Sequence, residues 1–228
     1  MKNYITDIFF DLDHTLWDFD RNSELAFEKI FTENFPEIDF REFSRVYAPI
    51  NQACWKLYQN DEITSEELRY QRLKQSFDTI NFAISDQQIN EIAYNYIELL
   101  PQNNHLFEGA IEILDYLKPK YKLHIITNGF EKVQYLKIEN SGISDYFMTI
   151  TNSEMAGVKK PNPKIYEFAL SLAKAPKKTS VMIGDSIEAD VLGALDFGID
   201  AIYFNPSKEN VVENFLQINH LSELKNHF

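Results

Sequence analysis

The chain has 228 residues, of which 44% are hydrophobic and 14% aromatic, enough apolar material for a sizeable core. Its formal net charge is −13 at pH 7 and it has no basic tract, which excludes binding of DNA, RNA or an anionic membrane through general electrostatics. The single cysteine, Cys54, excludes an intramolecular disulfide. We find no signal-peptide pattern and no long apolar span, so we expect a cytoplasmic protein without a membrane anchor.

The first predicted element is a buried strand over Ile8–Phe10, followed by Asp11 and Asp13. At the carboxyl end of a strand, this spacing directs both carboxylates into the crevice where open α/β sheets bind ligands. Two anions about 4 Å apart repel by about 4 kcal/mol at an effective dielectric near 20, so a divalent cation is their natural partner. The alternative is that both aspartates serve as turn or capping residues.

A calcium-binding EF-hand loop is a rival interpretation of the same residues. Such a loop needs an oxygen ligand at its first position, glycine at its sixth and glutamate at its twelfth. Counted from Asp11, the sixth position is Leu16 and the twelfth is Asn22. The sequence therefore excludes an EF-hand here.

Residues 17–100 contain four helical patterns and no convincing strand, which predicts an inserted all-helical domain. The first pattern ends at Pro36, and the third and fourth begin with capping boxes at Thr64 and Ser85. In the second, we predict that one apolar stripe faces the domain core. That stripe consists of Phe43, Tyr47, Ile50, Cys54 and Leu57.

From residue 101 onward, apolar strands alternate with helical patterns. Strands are predicted at 123–126, 147–150, 180–183 and 201–204, the last of these being the final strand. Repeated βα units predict an α/β fold with a doubly wound, Rossmann-like parallel sheet. We therefore expect two domains, an α/β core formed by residues 1–16 and 101–228, and a helical domain over 17–100.

Polar groups follow four of the predicted segments, where the carboxyl ends of strands would bring them together. They are the groups that hydrolysis of a phosphate monoester needs. One carboxylate can attack phosphorus, and a second can protonate the leaving alkoxide. A hydroxyl and an ammonium can bind the phosphoryl oxygens, and a further carboxylate can complete an Mg²⁺ site. The groups are Asp11 with Asp13, Thr127 with Asn128, Lys160, and Asp185 with Asp190.

These segments carry a resemblance to a known family. Asp11–Thr15, Thr127–Gly129, Lys160–Pro161 and Gly184–Asp190 resemble, in chain order, the four motifs of the haloacid dehalogenase-like hydrolase superfamily. The helical insertion after the first motif resembles the cap domain of that superfamily. Asp13 favours phosphatase over dehalogenase chemistry, because the dehalogenases of the superfamily lack this second aspartate.

The resemblance implies a role for each motif residue. It implies that Asp11 is the nucleophile and an Mg²⁺ ligand, and that Asp13 is the general acid/base, with its backbone carbonyl reaching the metal. It also implies that Thr127, Lys160 and the backbone N–H of Asn128 bind phosphate. By the same resemblance, Asp185 ligates Mg²⁺, and Asp190 supports the site either from behind the ligands or through a water molecule.

Three further segments indicate which branch of the superfamily the chain resembles. Leu16–Asp20, Ile50–Trp55 and Glu66–Tyr70 are similar to the housecleaning pyrimidine 5′-nucleotidase branch of the superfamily. This implies a nucleoside monophosphate as the small phosphorylated substrate. Phosphoglycolate phosphatases and β-phosphoglucomutase-like enzymes share the same layout and remain alternatives.

Residues of the helical domain are candidates for substrate selection. We predict that Asn51, Trp55 and Tyr58 lie off the apolar stripe, where an aromatic ring beside an amide suits a stacked base. Arg69 and Arg72 share one helix face and could add positive charge above the phosphate. The alternative is that Trp55 packs within the domain and both arginines are solvated.

Two other classes of protein are alternatives to a phosphatase. A receiver-type signalling domain also phosphorylates an aspartate, but it would be about half this length and would lack the helical insertion. A non-catalytic phosphoryl-binding module is the more distant alternative, and an assay for phosphate release separates both from the enzyme. The sequence leaves monomer and dimer open.

Overall fold

The computed structural model describes residues 5–208 and 215–228. The chain divides into two compact units, one formed by Met1–Phe19 with Asn104–Phe228 and the other by Asp20–Asn103. These boundaries fall a few residues after those expected at 16/17 and 100/101. We call the first the α/β unit and the second the helical unit. That the helical unit acts as a cap stays a prediction.

The α/β unit is built on a six-stranded sheet in the order β3-β2-β1-β4-β5-β6, and all neighbouring strands are parallel. The central strand, β1, is buried along its whole length, as its apolar run predicts. The doubly wound α/β fold is therefore confirmed. The strands are β1 (Asp7–Phe10), β2 (Lys122–Thr127), β3 (Phe147–Asn152), β4 (Ser180–Gly184), β5 (Asp200–Phe204) and β6 (Gln217–Ile218).

The prediction that the strand ending at Phe204 is the last is wrong. Two backbone hydrogen bonds, from Tyr203 N to Leu216 O at 2.9 Å and from Asn205 N to Ile218 O at 2.8 Å, attach β6 to the edge of the sheet. A strand of two residues is too short to show the alternation of apolar and polar side chains that identifies strands in sequence.

Helices flank this sheet and connect its strands. Ile165, Tyr166 and Ala169 of one helix pack with Phe9 of the central strand in a buried apolar cluster. Residues Ile187–Leu192 form a π-helical turn that runs directly into the next helix, which ends at Gly198 in the left-handed conformation. The helices of this unit are α5 (Ala110–Leu117), α6 (Glu131–Asn140), α7 (Ser153–Ala156), α8 (Pro163–Ala173) and α9 (Gly193–Phe197).

The helical unit consists of four helices, and the capping boxes predicted at Thr64 and Ser85 are confirmed. Asp39 caps the start of a further helix by accepting hydrogen bonds from the N–H groups of Arg41 and Glu42. Among the described residues, none of the helices combines the length and the apolar composition that spanning a bilayer requires. The four helices are α1 (Phe19–Asn34), α2 (Phe40–Gln59), α3 (Ser65–Thr79) and α4 (Asp86–Leu99).

An aromatic cluster forms the core of the helical unit. The ring of Phe27 stacks on that of Tyr96 with 4.3 Å between centroids and meets Tyr47 edge-on at 4.6 Å. Phe31 meets Phe43 edge-on at 4.8 Å, and Phe77 lies 5.0 Å from Phe43. Offset and edge-to-face contacts of this kind stabilise beyond the apolar area that they bury.

The predicted stripe of α2 is only partly right. Phe43, Tyr47 and Cys54 are buried, but Asn51 and Tyr58 are buried with them, and Ile50 and Leu57 are only partly buried. The prediction that Asn51 and Tyr58 lie off the apolar stripe is therefore wrong. The buried set falls at positions 43, 47, 51, 54 and 58, the spacing of one helix face.

Candidate active site

The turn after β1 holds the first acidic pair. Asp11 is buried, and its backbone N–H donates to the carbonyl of Ile183 in β4 at 2.9 Å. The chain then turns tightly, because the N–H groups of Leu16 and Trp17 both donate to the carbonyl of Leu12. Asp13 lies within this turn and remains partly exposed. The central strand therefore delivers two carboxylates to the carboxyl edge of the sheet, where α/β folds place their sites.

Lys160 joins two of the acidic motifs through its ammonium group. Its side chain is buried, and Nζ lies 2.6 Å from Asp11 Oδ1, 2.6 Å from Asp190 Oδ1 and 2.8 Å from the carbonyl of Ile126. These three acceptors match the three donors of an ammonium group. Burial alone would lower the pKa of Lys160, but the carboxylates of Asp11 and Asp190 raise it above its ordinary value, so the lysine is charged.

Three carboxylates crowd together beside this lysine. Asp11, Asp185 and Asp190 each place an oxygen within 4.8 Å of the others. Burial raises the pKa of Asp11 well above its ordinary range, and the charges of Asp190 and Asp185 add to the rise while Lys160 opposes it. Burial and Asp190 raise the pKa of Asp185 to about 8, although Lys160 and a hydrogen bond from Thr15 oppose the rise. Excess negative charge of this kind calls for protons or a cation.

The donor set of this cluster fits Mg²⁺. Carboxylate oxygens are the hard ligands that Mg²⁺ prefers, and one or two of them with waters and a substrate oxygen complete its octahedron. The carboxylate of Asp13 is not part of the cluster, which includes Asp190 instead. That the backbone carbonyl of Asp13 reaches the metal stays a prediction.

Gly184 gives Asp190 the room to join this cluster. A side chain at position 184, the last residue of β4, would overlap the Asp190 carboxylate. Asp190 Oδ2 in turn accepts the backbone N–H of Ser186 at 3.0 Å, and its other oxygen holds Lys160. The glycine before Asp185 is therefore a spatial requirement of the site.

The end of β2 supplies Thr127 and Asn128. Thr127 is buried, and its Oγ1 accepts a hydrogen bond from the backbone N–H of Gly129 at 3.2 Å. The Asn128 side chain pairs with the backbone of Lys160, accepting from its N–H at 2.7 Å and donating to its carbonyl at 3.0 Å. Lys160, and not the partly buried Lys159, is thus the lysine brought to Asp11.

Two residues that the sequence did not single out hold Asp13. Lys137 Nζ lies 2.6 Å from Asp13 Oδ1, and Gln134 Nε2 donates to Asp13 Oδ2 at 2.9 Å. Both come from α6, where they share a buried face with Val133 and Ile138. The sequence of α6 contains no signal for this role, because the burial of both side chains depends on the turn that holds Asp13.

The selection residues predicted in the helical unit differ in exposure. Asn51 and Arg72 are buried, whereas Trp55 and Arg69 are partly buried. Arg72 Nη1 donates to Asn51 Oδ1 at 3.0 Å, and its guanidinium lies 5.0 Å from the ring centre of Tyr96. The alternative of a solvated Arg72 is therefore wrong. This pairing explains why Asn51 can be buried, because a buried amide must be hydrogen-bonded.

The fold and the site together define a class of protein, an α/β enzyme with an acidic cluster and a buried lysine at the carboxyl edge of a parallel sheet. A family model described as haloacid dehalogenase-like hydrolase matches residues 7–198. The chain belongs to this hydrolase family.

Comparison with known proteins gives several relatives over most of the chain. The pyrimidine 5′-nucleotidase YjjG of Escherichia coli (strain K12) is 34% identical over 202 residues, 87% of this chain and 85% of that protein. The pyrimidine 5′-nucleotidase PynA of Streptococcus pneumoniae is 32% identical, with 87% and 83% coverage. A glyceraldehyde 3-phosphate phosphatase of Pyrococcus abyssi is 28% identical, with 88% and 82% coverage.

A solved structure matches nearly the whole chain. The magnesium-bound HAD-hydrolase YfnB of Bacillus subtilis aligns with a TM-score of 0.89 at 25% identity, covering 99% of both chains.

Proposed function

We propose that this enzyme is a Mg²⁺-dependent phosphatase that hydrolyses small phosphate monoesters through an aspartyl-phosphate on Asp11. The observation that carries the proposal is the contact of Lys160 with Asp11 inside the cluster of Asp11, Asp185 and Asp190. A nucleophilic carboxylate beside a fixed cation suits attack on an anionic phosphoryl group, because the cation balances the charge that the two reactants bring together.

The chemistry divides into two displacements. In the first, a carboxylate oxygen of Asp11 attacks phosphorus, the bond to the leaving oxygen breaks, and Asp13 donates a proton to that oxygen. In the second, water attacks the phosphorus of the aspartyl-phosphate and gives its proton to Asp13. Inorganic phosphate leaves and Asp11 regains its carboxylate.

Three groups would hold the phosphoryl oxygens during these steps: the Thr127 hydroxyl, the Lys160 ammonium and the backbone N–H of Asn128. Because the three protons of Lys160 already point to Asp11, Asp190 and a carbonyl, an incoming phosphate must displace one of these acceptors. If the displaced acceptor is Asp11 or Asp190, that carboxylate loses its internal counter-charge.

Asp11, Asp185 and the backbone carbonyl of Asp13 would hold Mg²⁺, and Asp190 would support the site by holding Lys160. The bound ion would offset the negative charge of the carboxylates and the phosphoryl group.

We propose nucleoside 5′-monophosphates, pyrimidine before purine, as the preferred substrates. Two relatives named as pyrimidine 5′-nucleotidases, at 34% and 32% identity over most of the chain, support this choice. Trp55 is the residue we propose to stack on the base, with Asn51, Arg69 and Arg72 as further candidates for selection.

The second candidate function is that of a sugar-phosphate or phosphoglycolate phosphatase, which the relative named as a glyceraldehyde 3-phosphate phosphatase favours. We place the enzyme in the cytoplasm, acting without nucleic acid polymers or membranes.

A phosphate-release assay tests the proposal. Purified protein is given p-nitrophenyl phosphate with Mg²⁺ and with excess EDTA, and we expect turnover only with Mg²⁺. Undiminished turnover under chelation, or none in either condition, rules the mechanism out, and the second result would favour a non-catalytic phosphoryl-binding module. A panel of phosphomonoesters then ranks substrates. If phosphoglycolate or a hexose phosphate is hydrolysed fastest and nucleotides are hydrolysed near background, the nucleotide assignment is overturned. The proposal that the enzyme is a phosphatase would still hold.

A further inference from the structure

Lys137 carries a buried charge that the catalytic scheme above does not use. Its side chain is only 3% exposed, and its Nζ lies 2.6 Å from Asp13 Oδ1. The rings of Trp17 and Phe19 flank the ammonium, with their centres 4.3 Å and 5.3 Å away. Burying an ammonium costs several kcal/mol unless it is paired, so this placement is a built feature of the fold.

Gln134 completes the arrangement from one turn earlier in α6. Its Nε2 donates to Asp13 Oδ2 at 2.9 Å and to Thr127 Oγ1 at 2.6 Å. Gly129 makes room for it, since a side chain at that position would overlap the Gln134 amide. Each oxygen of the Asp13 carboxylate therefore has its own donor, and one of the two donors also contacts the proposed phosphate-binding hydroxyl.

We propose that Lys137, assisted by Gln134, is the positioning residue for the general acid/base Asp13. This inference rests on the proposed phosphatase function. Two hydrogen bonds from one rigid helix fix both the location of the carboxylate and the rotation of its plane. Because a carboxylate oxygen has two lone pairs, an oxygen that accepts one hydrogen bond keeps a second lone pair for the transferred proton. Lys137 thus acts through Asp13 and does not touch the substrate.

This role makes a prediction that a purely structural role does not make. Phenolate is a much poorer leaving group than p-nitrophenolate, so phenyl phosphate depends more strongly on protonation by Asp13. Loss of the positioning residue must therefore slow phenyl phosphate more than p-nitrophenyl phosphate. General loosening of the site would slow both substrates by the same factor.

The test compares Lys137→Met with Lys132→Met, a control that removes an exposed lysine from the same helix. We expect Lys137→Met to lower kcat/KM, which reports the first displacement, at least about tenfold more for phenyl phosphate than for p-nitrophenyl phosphate. KM for both substrates should change by less than about threefold, because substrate binding does not involve Lys137. Lys132→Met should retain both activities. Equal losses on the two substrates overturn the proposal.

A double-mutant cycle tests whether Lys137 acts only through Asp13. Adding Lys137→Met to an Asp13→Asn variant removes both members of the ion pair, so no unpaired charge is left buried. If Lys137 acts only through Asp13, the double variant should match Asp13→Asn in kcat for phenyl phosphate within about threefold. Losses that multiply overturn the proposal. Wild-type turnover of either ester tests the phosphatase function by itself, so failure of that function and failure of this inference give different results.

Discussion

The side chain of Asn128 forms hydrogen bonds with both the backbone N–H and the backbone carbonyl of Lys160. Its side-chain oxygen accepts the Lys160 N–H at 2.7 Å, and its side-chain nitrogen donates to the Lys160 carbonyl at 3.0 Å. The two residues come from different segments, one following β2 and the other preceding α8. Because the lysine backbone is held here, its side chain is delivered to Asp11 in a fixed position.

The first prediction removes this pairing. Asn128→Ala should lower kcat/KM for p-nitrophenyl phosphate by about 10- to 100-fold, since a small displacement of a binding group has effects of this size. Steady-state kinetics at saturating Mg²⁺ measure the loss. Asn140→Ala, an exposed position in α6, is the control and should behave as wild type. An unchanged kcat/KM in Asn128→Ala would mean that Lys160 is positioned without this amide.

The second prediction concerns the nucleophile. Asp11→Asn keeps the shape of the side chain but removes the attacking charge, so kcat should fall at least about a thousandfold. Circular dichroism should show an intact fold, because Asn occupies the same space. Retention of more than about a tenth of the wild-type rate, equivalent to about 1.4 kcal/mol of barrier, would rule out attack by Asp11.

The third prediction follows from the raised pKa of Asp185, which is about 8. Below that pH the carboxyl binds a proton in the metal-free protein, and Mg²⁺ must displace this proton. The apparent affinity for Mg²⁺ should therefore rise from pH 6 to pH 8, and the Asp185 proton accounts for up to about tenfold of that rise per pH unit. Titration calorimetry in buffers of different ionisation enthalpy measures the released proton. Asp185→Asn should reduce the release, and proton-neutral binding in the wild type at pH 6.5 would contradict the prediction.

The fourth prediction concerns His124, which lies buried in β2. It contacts Asp7 at 3.3 Å and Thr149 at 2.8 Å, and its ring stacks on Phe9. Burial lowers the pKa of His124 below its ordinary value of 6.5, although Asp7 opposes the shift. The unfolded chain then binds the proton more readily than the folded one. The contribution of His124 to stability is therefore full above pH 6.5 and is lost as the pH falls.

Chemical denaturation at pH 7.5 and pH 5.5 measures this effect. As the pH is lowered, the free energy of unfolding should decrease less in His124→Gln than in the wild type. The difference between the two slopes should be up to about 1.4 kcal/mol per pH unit. His227→Gln, which changes a partly exposed histidine, is the control. Identical slopes for His124→Gln and the wild type would show that His124 is not held neutral.

The fifth prediction separates selection from catalysis. Trp55→Ala should lower kcat/KM for UMP or dTMP by an amount that corresponds to base stacking, roughly 1–3 kcal/mol. The same variant should affect p-nitrophenyl phosphate much less, because that substrate carries no base. Losses of equal size on both substrates would remove Trp55 from base recognition.

The α/β unit was largely predictable because its strands follow a simple rule. Short apolar runs end in polar residues, and parallel strands bring those ends to one edge. Asp11, Asp185 and Asp190 could therefore be grouped from sequence alone, although they lie far apart in the chain. Lys160 needed the resemblance as well, since a lysine before a proline is by itself most often a surface charge.

Partners chosen by tertiary packing were not predictable. Lys137 and Gln134 look like ordinary polar positions of a surface helix until the turn holding Asp13 lies against α6. Asn51 joins the buried face of α2 because Arg72 from α3 satisfies its amide oxygen. In both cases the burial of a polar side chain depends on a partner from another element, and periodicity within one helix carries no such information.

The division of the chain into two units also divides its two tryptophans. Trp17 belongs to the α/β unit, where it is fully buried next to the Lys137 ammonium, and Trp55 belongs to the helical unit, where its ring meets Tyr58 edge-on. Each unit thus carries its own intrinsic fluorophore. Trp17→Phe and Trp55→Phe leave one tryptophan each, so with excitation selective for tryptophan the urea unfolding of either unit can be followed by its own emission. Different midpoints for the two signals would define two separate cooperative transitions, and a shared midpoint would define one.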